Sequence, residues 1–373
     1  MMKTTFPGLN LESSALGFGC MRLPTTADGK IDEEKAIAMI RHGIDSGVKY
    51  IDTAYPYHGG ESERVVGKAL LDGYREKVIL VTKLPCWHVH KYEDMMALLD
   101  EQLEKLQTDH VDFYLLHALN ADRYEQMCQF GYKKFFDEAL AQGKIRYPAF
   151  SFHDGKDAFM KILNDYDWKM CQVQMNILDD TNQATIDGIK AAGEKGVGVV
   201  IMEPLRGGLL ANPPEDVVAA YAKFPESRTP VEWAFRYLYT MPEVVTILSG
   251  MSTPEQVEDN LRIFDKAACE VISAEEKQLY VDVKNTYLAR MKTKCTGCEY
   301  CQPCPRGVKI PNIFQGYDRS LLQANGSFKA GYAKLVEQKA DASLCVNCRK
   351  CERACPQHLP IVQYLQEIRS VCE

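Results

Sequence analysis

The chain has 373 residues, 46% of them hydrophobic, and its 51 acidic against 44 basic side chains give a formal charge of −7. This supports a large buried core and excludes a general nucleic-acid surface, which needs a concentrated excess of Lys and Arg. No run of about 18 apolar residues occurs, and "MMKTTFPGLNLESS" lacks a signal peptide's apolar core. The expectation is therefore a cytoplasmic protein with no membrane span, whose 14 cysteines are thiols or metal ligands rather than a disulfide scaffold.

Eight short apolar runs follow in chain order: "LGFGCMRL" (16–23), "VKYIDTA" (48–54), "VILVTKL" (78–84), "VDFYLLH" (111–117), "IRYPAFSFH" (145–153), "MCQVQMNI" (170–177), "VGVVIMEPL" (197–205) and "VVTILSGM" (244–251). Helical stretches separate them. In "DEEKAIAMIRHGIDSG", Asp32 can cap, Ile37, Ile40 and Ile44 share a face, and Gly47 can end the helix. Strands this apolar are buried on both faces, as in a parallel sheet covered by helices. Eight such units predict an α/β fold closed as a (β/α)8 barrel. An open doubly wound sheet is the rival, but no GxGxxG follows the first strand. The expected domains are residues 1–285, the barrel, and 286–373, a small and mostly α-helical module.

Chemistry in such a barrel sits at the C-terminal ends of the strands. There the second, third and fourth runs supply Asp52 and Tyr57, Lys83, and His117. A phenol, with an ordinary pKa of about 10, needs a neighbouring cation to act as an acid near neutrality. Lys83 can supply that charge to Tyr57, Asp52 can hold the lysine, and His117 can orient a carbonyl oxygen. Each residue alone has an ordinary structural use. What points to chemistry is the four together on three consecutive strands.

These residues make the chain resemble the aldo-keto reductases, from "FPGLNLESSALGFGCMRL" through "DTAYPYHGGESERVVGKAL", "TKL" and "VDFYLLH". The resemblance spans roughly residues 3 to 267. It implies a barrel that reduces an aldehyde or ketone with NADP or NAD, with Tyr57 as general acid/base, Asp52 and Lys83 tuning it, and His117 orienting the substrate. It further implies that Ser151 and Gln172 hold the nicotinamide carboxamide, although Phe152 replaces the family's usual Asn. Met202 stands where a Tyr often stacks on the ring, and Pro204 and Leu205 follow it in the loop along the pyrophosphate. Gly250, Ser252, Gln256 and Asn260 fall in the phosphate segment after the eighth strand. That segment lacks the Lys and Arg of many NADPH-preferring relatives, which leaves NADPH against NADH open. "LPCWHVHKYED" places Trp87 where, with Tyr55, it lines a substrate pocket or merely packs.

The tail carries "CTGCEYCQPCP" and "CVNCRKCERACP". The second run fits the CxxCxxCxxxCP pattern of bacterial two-cluster ferredoxins, and the first differs by one residue in its last gap. This resemblance implies two 4Fe-4S clusters, one on Cys295, Cys298, Cys301 and Cys355, the other on Cys345, Cys348, Cys351 and Cys304. Structural zinc is the alternative, but a third cysteine in each triplet and the Pro after the fourth favour iron–sulfur. The mostly helical sequence around the runs resembles the α-helical type of ferredoxin-like domain. Cys20, Cys86, Cys128, Cys171, Cys269 and Cys372 show no ligand spacing and are assigned to packing. The function expected is carbonyl reduction with fused clusters for electron transfer, with a small-molecule substrate and a ferredoxin or other redox protein as partner. The alternative is a nicotinamide-binding sensor or electron relay without turnover.

Overall fold

In the computed structural model, which describes residues 1–266, 272–295, 301–323, 328–355 and 358–372, the chain opens with a hairpin. Strand β1 (Lys3–Phe6) pairs antiparallel with β2 (Leu11–Ser14). The alternating units follow. They are β3 (Leu16–Gly19), α1 (Glu33–Asp45), β4 (Tyr50–Asp52), α2 (Ser62–Ala69), β5 (Ile79–Leu84), α3 (Tyr92–Leu106) and β6 (Val111–Leu119). Next come α4 (Ala121–Gln129), α5 (Tyr132–Ala141), β7 (Ile145–Phe152), α6 (Lys156–Asp165), β8 (Met170–Gln174), α7 (Thr185–Glu194) and β9 (Gly198–Met202). After α8 (Glu215–Tyr221), the barrel resumes with α9 (Pro230–Leu238), β10 (Val244–Gly250) and α10 (Pro254–Lys266).

Strands β3 to β10 form a closed parallel barrel, β10 pairing with both β9 and β3. All eight expected strands are present, because each is buried on both faces and so is written as an apolar run. Helix α1 begins as expected, with Asp32 accepting from the Lys35 amide, and turns out at Gly47 with φ of +99°. The hairpin was not anticipated. It puts Phe6 among the barrel-core residues, its ring 4.7 Å from that of Phe113. A Cβ on Gly198 would lie 2.4 Å from Phe6 Cδ1, so that strand start accepts only glycine without displacing the plug.

By compactness the chain divides into Met1–Gly207 with Val231–Ile272, and Gly208–Pro230 with Ser273–Glu373. The expected boundary at 285/286 falls inside α11 (Ala274–Arg290), a continuous helix that belongs wholly to the second unit. There α11 packs on α8, and Arg290 Nη1 meets Asp216 Oδ1 at 2.9 Å. The unit continues with α12 (Ile310–Gln323), α13 (Phe328–Glu337), α14 (Lys350–Ala354) and α15 (Ile361–Cys372), around a core that includes Ile313, Phe314, Cys355, Leu365 and Ile368. Among the described residues no helix is long and apolar enough to cross a membrane.

Candidate functional site

Parallel register delivers the polar residues to one rim of the barrel. Asp52 closes β4 opposite Val81, and two residues on Lys83 lies opposite Leu115 of β6, with His117 following. The loop after β4 turns through His58, Gly59 and Gly60 at φ of 52°, 66° and 98°, and His58 Nε2 accepts from the Leu23 amide at 3.1 Å. This tie holds Tyr57 over the barrel mouth. Lys83 Nζ donates to both carboxylate oxygens of Asp52 and to the Thr53 carbonyl, each at 2.8 Å, and lies 3.4 Å from the Tyr57 hydroxyl.

Burial works to discharge Lys83, but Asp52, helped by Tyr57, overcomes it and holds the ammonium above the ordinary lysine range. Burial also pushes the Tyr57 phenol above its ordinary range. Lys83 pulls the phenol down and Asp52 pushes it up. The expected lysine effect is therefore present but outweighed, and Tyr57 is a protonated donor at neutral pH. Burial, reinforced by Lys83, His153 and Arg123, drives His117 well below its ordinary pKa, so its imidazole is neutral. Its Nδ1 is buried without a partner among the described residues, its ring meets Tyr57 edge-on at 6.2 Å, and Trp87 lies 5.1 Å away.

Behind β5 lies a buried network that sequence reasoning missed. Gln102 Nε2 donates to the Lys83 carbonyl at 3.1 Å and to Glu63 Oε1 at 2.5 Å, while Tyr114 donates to Gln102 Oε1 at 2.6 Å. These groups fix the strand that carries Lys83. The available signal was a Gln, hence a polar residue, among the mostly apolar positions of the inner face of α3.

Ser151 and Gln172 face each other across β7 and β8. Ser151 Oγ accepts from the Ala118 amide at 2.7 Å, and Gln172 Nε2 lies 3.9 Å from Met202 Sδ. Among the described residues Gln172 Oε1 is buried with no partner, an acceptor that a carboxamide N–H would satisfy. Pro204 is buried and Leu205 half-buried in the loop after β9.

Beyond β10, Thr253 caps α10 by accepting from the Gln256 amide, and Gln256 Oε1 accepts from the Ser252 amide at 2.7 Å. Asn260 donates to Ser249 Oγ from a buried position, and Ser252 Oγ donates to the Arg22 carbonyl at 2.7 Å. Gln256 is thus engaged in building the helix start, and Asn260 ties α10 to the end of β10. The cation absent from this segment's sequence arrives from β3's end. A Cβ on Gly250 would touch the Arg22 side chain at 3.3 Å, and one on Gly207 would lie 3.7 Å from Arg22 Nη2. A polyanion fits this glycine-lined cradle at a helix N-terminus with a guanidinium beside it.

In the second unit, Cys304, Cys345, Cys348 and Cys351, with Cys301, line a cavity of about 150 Å³ bounded by Val308, Ile310 and Leu365. Cys355 is buried in the adjoining core, Cys295 packs against that core, and Cys298 lies outside the described residues. Cys304, Cys345, Cys348, Cys351 and Cys355 are free thiols. Among the described residues no three His, Cys, Asp or Glu side chains converge as they would on one ion. Soft thiolate donors spread around a cavity fit a cubane better than a single zinc. Asp318, itself buried, accepts from the amides of Lys292, Thr293 and Lys294 and from the Thr293 hydroxyl, which anchors the chain just before Cys295. Of the cysteines assigned to packing, Cys20, Cys86 and Cys171 are buried, Cys372 is half-buried, Cys128 is exposed, and Cys269 lies outside the described residues.

Residues 15–273 match the aldo/keto reductase family model. The chain belongs to the aldo/keto reductase family. Residues 294–360 match the 4Fe-4S dicluster domain, so this aldo/keto reductase is an oxidoreductase with a fused iron–sulfur module. L-galactose dehydrogenase of Arabidopsis thaliana is 28% identical over 286 residues, covering 67% of this reductase and 84% of the plant protein. Methylglyoxal reductase YeaE of Escherichia coli is 39% identical over 110 residues, 30% of this chain and 36% of that one. Among solved structures, the holo form of aldo-keto reductase AKR11C1 from Bacillus halodurans superposes with a TM-score of 0.65 at 27% identity, covering 76% of this chain and 96% of that one. The Klebsiella pneumoniae aldo/keto reductase in complex with NADP and acetate gives 0.59 at 25% identity, with the same coverage.

Proposed function

We propose that the protein reduces an aldehyde or ketone to the alcohol with NADPH or NADH, and that its tail holds two 4Fe-4S clusters on Cys295, Cys298, Cys301 and Cys355 and on Cys345, Cys348, Cys351 and Cys304. The observation that carries the first part is the buried contact chain Asp52–Lys83–Tyr57 beside a neutral His117. Bound nicotinamide would supply hydride to the carbonyl carbon. Tyr57 gives its phenolic proton to the carbonyl oxygen, and Lys83, kept charged by Asp52, steadies the phenolate left behind. His117 donates one N–H to the same oxygen and orients it. Ser151 and Gln172 would hold the carboxamide, Met202 would pack beside the ring, and Arg22 with the Gly250–Ser252 turn would receive phosphate.

The clusters would supply one-electron transfer, and a ferredoxin-like carrier is the fitting partner. Tyr57→Phe should abolish carbonyl reduction while retaining cofactor binding, and unchanged turnover would sink the mechanism. For the module, electron paramagnetic resonance of anaerobic protein, with iron and sulfide quantified, should reveal reduced 4Fe-4S signals with dithionite, and the same signals after NADPH or NADH would mean that nicotinamide and clusters exchange electrons. Clusters that respond to dithionite alone would instead assign their electrons to another donor.

A further inference from the structure

In the barrel, Arg41, Arg75, Arg146, Arg206 and Arg262 each meet a carboxylate between 2.8 and 3.1 Å. Arg123 meets none. Its Nη1 donates to the Ala118 carbonyl at 2.6 Å, while Nε and Nη2 meet no acceptor. The backbone fixes this guanidinium from two sides. Asn120 caps α4 through the Arg123 amide at 2.8 Å, and Ala118 holds φ of 53°, a left-handed conformation costly for a non-glycine residue, which turns its carbonyl to the arginine while its amide binds Ser151 Oγ. The guanidinium lies 5.6 Å over the Trp87 ring, and that ring lies 5.1 Å from His117. Trp87 is 37% exposed, against 2% for Trp168 and 1% for Trp233. Asp154, the acidic residue at the start of the neighbouring β7–α6 turn, is spent on the amides of Ala121 and Gly155.

We infer that the substrate is a carbonyl compound bearing a carboxylate, with Arg123 and Trp87 receiving that anion beside the Tyr57–His117 pair. A planar guanidinium with one free edge accepts a carboxylate through two parallel hydrogen bonds, and the indole face sets its plane. What sets Arg123 apart from Arg22 and Arg64, which also meet no carboxylate among the described residues, is that its backbone-held guanidinium lies over the Trp87 ring beside His117. The inference rests on the carbonyl-reductase reading given above and narrows it to oxo acids.

The test compares succinic semialdehyde with its methyl ester, in the full-length cluster-loaded protein and in Arg123→Met and Arg123→Lys. In the native protein kcat/KM for the acid should exceed that for the ester roughly 30- to 300-fold, mainly through KM. In Arg123→Met that ratio should fall below about 5, and Arg123→Lys should keep an intermediate value. A native ratio near one, or one that survives Arg123→Met, overturns the inference while leaving carbonyl reduction standing. If neither compound is reduced, carbonyl reduction fails and binding decides the anion site. Titration with succinate, followed by fluorescence of Trp87, the exposed tryptophan, should saturate in the native protein and not in Arg123→Met. An equal response in both overturns the anion site.

Discussion

Lys83 and Asp52 form a buried ion pair whose ammonium lies 2.8 Å from both carboxylate oxygens, with side-chain exposures of 1% and 3%. Such a pair rarely stabilises a fold relative to apolar residues, because desolvating both charges offsets their attraction. Its presence at the barrel mouth is explained by the third group it touches, the Tyr57 hydroxyl.

Breaking the pair from the lysine side should therefore cost twice. Lys83→Met strands the Asp52 carboxylate in the core and should destabilise the barrel by about 3–5 kcal/mol. It also removes the cation that lowers the Tyr57 pKa, so any residual carbonyl reduction, which needs the protonated phenol, should persist to a more alkaline pH before it falls. Lys83→Met with Asp52→Asn should recover stability without recovering turnover. Chemical denaturation and a pH–rate profile separate the two effects.

His117 and His153 are both held below the ordinary histidine pKa, chiefly by burial. At a pH below about 6.5 the unfolded chain binds protons that the native site refuses, so stability should fall with acidification and be fully present above that range. His117→Asn should flatten the fall of Tm between pH 7.5 and 5.5. An unaltered slope would place the acid sensitivity elsewhere.

Arg22 sits between the Gly207 loop and the turn at Gly250. Arg22→Gln should weaken NADPH and NADH about tenfold each, because the pyrophosphate is common to both. Fluorescence titration of each nucleotide reads this directly. A loss confined to NADPH would move the guanidinium to the 2′-phosphate.

In the second unit, Asp318 satisfies three amides and a hydroxyl just before Cys295. Asp318→Ala leaves the buried Thr293 amide and hydroxyl and two part-buried amides without their acceptor and should cost this unit about 3 kcal/mol or more. Iron and sulfide per chain after mild heating should drop well below the native value, with the barrel's near-ultraviolet circular dichroism retained.

The helical module's limit was less legible than the barrel's strands. No Pro- or Gly-rich linker marks it, and α11 reads from sequence as a continuation of either part. Contact alone assigns that helix, together with residues 208–230, to the second unit.

The eight strands, the four residues at their ends and the two cysteine runs were written in the sequence, because each depends on neighbours a few positions away. A strand buried on both faces is an apolar run, a residue at its C-terminal end is at the rim, and cluster ligands lie two residues apart. The tertiary structure alone decided what closure and crossing bring together. Arg22 reaches the turn at Gly250 because β3 pairs with β10, Arg123 covers Trp87 because β6's end bends at Ala118, and Gln102 braces Lys83 from another helix. Asp318 likewise holds Thr293 from the next helix. None of these pairings has a local pattern, since a hydrogen bond or stacked ring depends on distance in space, and only barrel closure and helix docking set that distance.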